Sequence, residues 1–329
     1  VPVRVLMSAG VAQDLQAAAL AAAAAGGGAA ELLLYHGRQE FAGLLPRAEV
    51  SYAAGLHAAE IASATRLKWV HVTSAGVDRL PLRELAAAGI TLTNARGQHA
   101  DAMADHAFAL FLAMARNIPA CVRDQEARLW GRGSGSPTPG ELAGRRLGIL
   151  GLGAIGRAIA RRAAAFGMDV WASRRHPPAG GDGAEPGISR VLGSSRAEFL
   201  EILEACDDVV SVLPSTPQTR GLFDAAAFAA MRPGTRLVNV GRGDVLQEAA
   251  LDAALRSGRL AGAGCDCFPR EPLPSDSPLW TAPNLLITPH IGGQHPGYER
   301  RTMAIFAANL TRYCRGEPLQ NVVDLHEGY

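Results

Sequence analysis

The sequence has almost no net charge: 32 Lys and Arg stand against 31 Asp and Glu over 329 residues, a balance of +1. With no polybasic run, no basic zipper and no aromatic-rich stretch beside that balance, nucleic acid is not an expected partner. The low hydrophobicity and large net charge of a disordered chain are missing as well. So are long apolar runs. The most apolar stretch, residues 17–30, is nearly all Ala and Gly and is shorter than the roughly 20 residues that span a bilayer, so no membrane is expected either. Residues 1–7 read as a strand and lack the basic segment, apolar core and cleavage site of a signal peptide. Cysteine is scarce, five in all, which is no disulfide framework. Cys265 and Cys267 flank Asp266 as a Cys-x-Cys pair, but no second Cys/His pair stands near at metal-ligand spacing, so buried thiols and no metal are expected. The simplest compartment is a reducing cytoplasm. No internal repeat is visible.

What is present is ordinary globular material, 48% hydrophobic and 19% charged, in a length that suits two domains at roughly 150 residues each. Strand and helix signals alternate. Strands are expected at residues 3–7, 31–35, 67–72 and 90–93, with a helix over 14–25 stopped by Gly26-Gly27-Gly28. Residues 100–116 are apolar on nearly every face and predict a long buried helix that Pro119 ends. Residues 121–140 are polar, rich in Gly, Ser and Pro, and hold Trp130; a loop of that length is expected to be functional or an interaction arm. A second α/β unit starts at Gly144, with strands at 146–150, 169–173, 208–213, 235–240, 261–267 and 285–288. Helices are expected within 151–166 and over 197–205, 225–231, 248–257 and 297–315, and a loop over 180–187. Such alternation implies parallel βαβ units.

The strongest local motif is Gly151-Leu152-Gly153-Ala154-Ile155-Gly156, directly after the strand at 146–150 and opening a helix. That context makes a glycine fingerprint a dinucleotide site. Gly151 permits the turn, Gly153 lets the backbone approach a pyrophosphate, Gly156 lets helix and strand pack, and the helix N-terminus faces the phosphates. The next strand ends Ser173-Arg174-Arg175, with Arg174 23 residues past Gly151. No acid ends that strand to bond the ribose of NAD. Two guanidiniums and a hydroxyl suit a 2′-phosphate, so NADP (NADPH) is the expected coenzyme, with NAD possible. Arg242 follows a strand and has the fork to hold a carboxylate. His290 also follows a strand, and Glu271 could hold it in one tautomer as a proton donor. Taken singly, Arg242 could be a surface turn, Glu271 a helix cap and His290 a core histidine.

Taken together, these residues resemble the D-isomer-specific 2-hydroxyacid dehydrogenase family. The resemblance runs from about residue 67 to 324. It is carried by Thr73-Ser74-Ala75-Gly76-Val77-Asp78, the glycine fingerprint, Leu213-Pro214-Ser215-Thr216-Pro217-Gln218-Thr219, Val238-Asn239-Val240-Gly241-Arg242-Gly243, Asp266-Cys267-Phe268-Pro269-Arg270-Glu271-Pro272-Leu273, Thr288-Pro289-His290 and Asn321-Val322-Val323-Asp324. It implies that Arg242, Glu271 and His290 are catalytic, and that Ser74, Ala75, Gly76 and Val77 offer backbone N–H groups to a substrate carboxylate that Arg242 also binds. Cofactor contacts are implied for Gly151, Gly153, Ala154, Ile155, Gly156, Ser173, Arg174, Arg175, Leu213, Pro214, Thr219, Val240, Gly241, Asp266, His290 and Gly292, with Asp266 near the nicotinamide amide. The implied fold is α/β: a doubly wound Rossmann cofactor domain, residues 99–290, inserted into a smaller flavodoxin-like substrate domain, residues 1–98 and 291–329. The arm at 121–140 is implied to make a homodimer, with Trp130 as the side chain that could reach the partner.

Within the family, the Arg-bearing second strand, Arg270-Glu271-Pro272-Leu273-Pro274 and Ser277-Pro278-Leu279-Trp280 are similar to the NADP-linked glyoxylate/hydroxypyruvate reductases. The expected activity is reduction of a small 2-keto acid to a D-2-hydroxy acid. Two departures bear on substrate choice: Asp105 where the long helix usually has Glu, and Gly292-Gly293 where a pair of alanines is common. The alternatives are a coenzyme-sensing module like the corepressors that resemble the family, and an NAD-linked dehydrogenase of another keto acid. A formate dehydrogenase would have Gln for Glu271. A phosphoglycerate dehydrogenase with a regulatory domain would carry more chain after Asp324 than the five residues here.

Overall fold

The computed structural model describes residues 1–131, 138–177 and 185–328. The chain divides into two compact units, Val1–Gln98 with His295–Tyr329, and His99–Gln294. The second boundary lies four residues past the expected one at 290.

In the first unit the elements run β1 (Val3–Ser8), α1 (Gln13–Ala25), β2 (Ala30–Tyr35), α2 (Arg38–Leu44), β3 (Val50–Ala53), α3 (Ala58–Ser63), β4 (Trp69–Val72), α4 (Leu82–Ala87) and β5 (Thr91–Asn94). All five strands are parallel, in the order β2-β1-β3-β4-β5, the flavodoxin-like order. Both faces are covered, so β3 and β4 bury every side chain and β1 buries its middle three. Leu6 packs on one side with Val70, Val72 and Leu92, and Val5 and Met7 pack on the other with Trp69. The second face is closed by α1, which buries Leu15, Ala19, Ala22 and Ala23 at helical spacing, and by Met303, Phe306 and Leu310 of the chain's last helix, Tyr298–Arg315. The Ala-rich stretch is therefore a helix, a turn and the start of β2. Among the described residues no helix is long and apolar enough to cross a membrane. Sequence reading passed over β3, because four fully buried residues, Val-Ser-Tyr-Ala, show neither alternation nor a β-branched run.

The second unit begins with α5 (Ala100–Ala115) and α6 (Ile118–Glu126). It continues β6 (Arg146–Leu150), α7 (Ala154–Ala165), β7 (Asp169–Ser173), β8 (Arg190–Leu192), α8 (Arg196–Ala205), β9 (Asp208–Ser211) and α9 (Ala225–Ala230). It ends with β10 (Thr235–Asn239), α10 (Glu248–Arg256), β11 (Leu260–Cys265) and β12 (Leu285–Ile287). Its seven strands are parallel in the order β12-β11-β10-β9-β6-β7-β8. This is the doubly wound Rossmann arrangement extended by one strand, and its order reverses between β6 and β9. One consequence fixes the site: with all strands parallel, the loops after β6, β7, β9, β10, β11 and β12 leave from the same edge of the sheet.

Two expectations are corrected here. Pro119 does not end the long helix. That helix stops at Ala115, Asn117 turns the chain with a φ of 54°, and Pro119 lies in the first turn of α6, where its missing N–H costs no helical bond. The arm at 121–140 is accordingly not all loop, since residues 121–126 are helical. Residues 132–137 of the arm and 180–184 of the loop expected at 180–187 lie outside the described residues.

Candidate active site

The turn from β6 into α7 carries the glycine fingerprint. Gly151 has a φ of 104°, and a Cβ on Gly156 would stand 2.3 Å from the Gly151 carbonyl oxygen. Helix and strand meet at a distance only glycine allows. Over Gly153 there is open space, with no atom within 4 Å of where a Cβ would be. The N-terminus of α7, at Ala154 and Ile155, has no side-chain cap. Uncapped N–H groups beside an open backbone suit a pyrophosphate, so the residues present fit a dinucleotide. Across the switch point, the loop after β9 is tied down by Thr219, whose hydroxyl donates to Pro214 O at 2.6 Å and accepts from Thr216 N at 2.9 Å. Gly241 packs on the Leu213 backbone, 2.6 Å from its oxygen if a Cβ were present, and Val240 is buried beside it.

The loop after β7 holds the candidate ribose site. Ser173 is buried, and its carbonyl accepts from Gly151 N and Leu152 N at 3.2 and 2.9 Å, so Arg174 starts beside the glycine turn. Arg175 is exposed. Arg174 is not left to a ligand alone: its Nη1 lies 3.3 Å from Oε1 of Glu185. Glu185 in turn makes a two-pronged pair with Arg157 at 2.5 and 3.0 Å. The hydrogen bond from Arg157 outweighs what burial does, and holds the Glu185 carboxyl below its ordinary pKa.

The three proposed catalytic residues come from the loops after β10, β11 and β12. His290 Nδ1 lies 3.0 Å from each carboxylate oxygen of Glu271. A carboxylate only accepts, so Nδ1 carries the proton there and Nε2 is the ring nitrogen left to exchange one. Glu271 also accepts from Phe268 N at 3.0 Å, which fixes it from behind. Arg242 donates to its own neighbour, Gly241 O, at 2.9 Å, while Asn239 Nδ2 donates to Arg242 O at 3.0 Å. Gly243 lets this turn reach the next loop: a Cβ there would stand 2.0 Å from the Phe268 carbonyl carbon. Cys267 is buried, which pushes its thiol pKa well up; Cys265, Asp266 and Glu271 raise it further and Arg242 lowers it.

His290 itself has a φ of 55°, an uncommon conformation for a residue with a side chain. Its surroundings impose it. Asp266, 2% exposed, accepts from Ile291 N at 2.9 Å, Gly292 N at 2.8 Å and Thr288 Oγ1 at 2.6 Å. Burial alone would raise the Asp266 pKa, but hydrogen bonds from His106, Thr288 and those two amides hold it below the usual value. Thr288 gives its one proton to Asp266, so it accepts from His106 Nε2 at 2.9 Å. Gly292 has a local reason too, since a Cβ there would come within 2.8 Å of Asp266 Oδ2.

The loop at 74–77 belongs to the first unit. Ser74 O accepts from Ala95 N at 3.0 Å, Ala75 O from Asn94 Nδ2 at 2.7 Å and Gly76 O from Ser74 Oγ at 2.8 Å. The loop turns its carbonyls onto its own unit, which leaves N–H groups as what it can offer an anion. Sequence reading missed His106 and Glu185. His106 sits on a helix read as uniformly buried, next to Asp105, whose carboxylate is taken by Arg162 at 2.8 Å. Glu185 follows Gly151 by 34 residues, well past the interval at which the acid is usually sought. Among the described residues no cluster of three potential metal ligands occurs.

A family model described as D-isomer specific 2-hydroxyacid dehydrogenase, NAD binding domain, matches residues 108–292. The chain is 33% identical over 294 residues to a D-3-phosphoglycerate dehydrogenase of Mycobacterium leprae, which covers 88% of this chain and 54% of that protein. It thus spans about half the length of such relatives. A glyoxylate/hydroxypyruvate reductase B of Citrobacter koseri is 33% identical over 262 residues, 79% of this chain and 78% of that one. Among solved structures, a D-isomer specific 2-hydroxyacid dehydrogenase from Xanthobacter autotrophicus in complex with NADPH and MES matches with a TM-score of 0.82 at 31% identity, covering 100% of this chain and 99% of that one. D-mandelate dehydrogenase of Rhodotorula graminis matches with a TM-score of 0.84 at 26% identity, covering 98% of both chains.

The tight contact at Gly243 gives a direct test. Gly243→Ala should cost about 1–3 kcal/mol, because backbone must move to admit the methyl group. Chemical denaturation measures it, and an unchanged midpoint would mean that the two loops do not touch as described.

Proposed function

Since this chain belongs to the D-isomer-specific 2-hydroxyacid dehydrogenase family, we propose that it reduces small 2-keto acids, such as glyoxylate or hydroxypyruvate, to D-2-hydroxy acids with NADPH. The observation that carries this reading is the Glu271–His290 pair, with both carboxylate oxygens on Nδ1, which leaves Nε2 as the ring nitrogen that can exchange a proton with a substrate. A bound nicotinamide coenzyme supplies the hydride for such a reduction. His290 enters the step as an imidazolium that Glu271 stabilises, gives its Nε2 proton to the forming alkoxide and is left neutral with Nδ1 still donating to Glu271. Arg242 holds the substrate carboxylate and polarises the carbonyl, a task that suits its planar fork. In the first unit, residues 74–77 offer N–H groups to a carboxylate. Ser173, Arg174 and Arg175 support NADPH over NADH.

Oxidation of 3-phosphoglycerate is the second reading, favoured by the D-3-phosphoglycerate dehydrogenases among the relatives. We also propose a homodimer through the arm at 121–140. Val122, Leu129 and Trp130 lie exposed along it, Trp130 at 97%, with Ile118 exposed just before it, and so much uncovered apolar surface in one stretch suits a second copy. All five cysteines are free thiols, which supports a reducing compartment such as the cytoplasm.

Steady-state assays with a panel of 2-keto acids and both reduced coenzymes, and with 3-phosphoglycerate and the oxidised coenzymes, separate these readings. Turnover of glyoxylate or hydroxypyruvate, with a higher kcat/KM for NADPH than for NADH, is the expected result; binding of coenzyme without any turnover would favour a sensing module. His290→Ala should lose about 10²–10⁴-fold in kcat and keep its coenzyme affinity, and an unimpaired rate in folded protein would remove His290 from the reaction. Light scattering at micromolar concentration should return twice the chain mass, whereas a monomer would leave the arm without its proposed role.

A further inference from the structure

The coenzyme site contains an acidic group that the reading above does not use. Glu185 stands between two arginines at the mouth of the glycine turn. On one side Arg157, the residue after Gly156, grips both its oxygens and also donates to Leu152 O at 3.3 Å. On the other side its Oε1 is shared with Arg174 Nη1. The β7 end of a Rossmann sheet is where the adenosine ribose lies, and an acid there accepts from the 2′-hydroxyl of NAD while repelling the 2′-phosphate of NADP. Here β7 ends in Ser173 and arginines, so by its own residues the strand selects the phosphate. Glu185 opposes that choice in two ways: its charge cancels the guanidinium that a phosphate would use, and its carboxylate is itself a candidate acceptor for a ribose hydroxyl. Arg157 keeps it in place, since a two-pronged pair resists displacement more than a single contact does. Glu185 is mostly covered, with 15% of its side chain exposed against 34% for Arg174, so solvent screens the pair only in part.

We propose that Glu185 is a selectivity-determining residue of the coenzyme site, a counter-charge that limits the preference for a 2′-phosphorylated dinucleotide which Arg174 and Arg175 create. This rests on the reading of the 151–156 turn and the β7 end as the dinucleotide site. It assigns the two arginines different tasks: Arg157 positions Glu185, and Arg174 is what Glu185 and a phosphate compete for.

The test is direct binding, with no substrate present. NADPH and NADH are titrated into the unmodified protein and into Glu185→Gln, following coenzyme fluorescence, with thermal unfolding as a check on fold. Gln keeps the shape and removes the charge. The dissociation constant for NADPH should fall about tenfold or more while that for NADH stays the same or rises, so the ratio of the two shifts by at least a decade. In an Arg174→Gln background, Glu185→Gln should recover much less of that shift. Glu185→Ser serves as a second variant should the first unfold. A ratio within twofold of the unmodified protein's, or equal weakening of both coenzymes, overturns the proposal and leaves Glu185 a structural tie. Binding of neither coenzyme by the unmodified protein overturns the dinucleotide reading itself, and the proposal with it.

Discussion

The placement of His290 depends on the carboxylate of Asp266. That buried group accepts from the amides of Ile291 and Gly292 and from the Thr288 hydroxyl, so it holds the chain on both sides of a histidine in the left-handed region. Those bonds, with the one from His290 N to Thr288 O, hold a side-chain-bearing residue at a φ of 55°. His106 extends the clamp into α5 through Thr288, which ties the geometry of the loop to the longest helix of its unit. The usual cost of burying a charge is offset because every donor aimed at it is part of the structure it organises.

Parallel topology supplies the rest. Because β10, β11 and β12 are consecutive neighbours running the same way, the loops that follow them lie side by side, and residues dozens apart in sequence become neighbours. Two glycines bring the loops closer still, Gly241 against Leu213 and Gly243 against Phe268. The proposed chemistry thus lives in loops, while the strands beneath set where those loops begin.

Much of this was legible in the sequence because it is local. The strands Arg146–Leu150 and Asp169–Ser173 could be read from apolar runs bounded by turn residues, and the glycine fingerprint from its place between a strand and a helix. Arg242, Glu271 and His290 stand out as candidates only as a set, through the order and spacing of the motifs around them; singly each has an ordinary structural explanation. What escaped was short or non-local. The strand Val50–Ala53 has four residues and no pattern. Pro119 acts as a helix starter because Asn117 turns the chain first, and no propensity rule fixes which of two helices a proline serves. His106 and Glu185 matter through partners 182 and 11 residues away, Thr288 and Arg174, which are contacts that only the folded chain discloses.

On the proposed function, Glu271 acts through His290 and not beside it. A double-mutant cycle on kcat/KM for 2-keto acid reduction tests it most directly, using Glu271→Gln, His290→Gln and the pair together. If Glu271 serves to hold and charge-stabilise His290, the double variant should be little worse than His290→Gln alone. Losses that multiply across the two sites would contradict the account, because they would mean that the two side chains contribute independently.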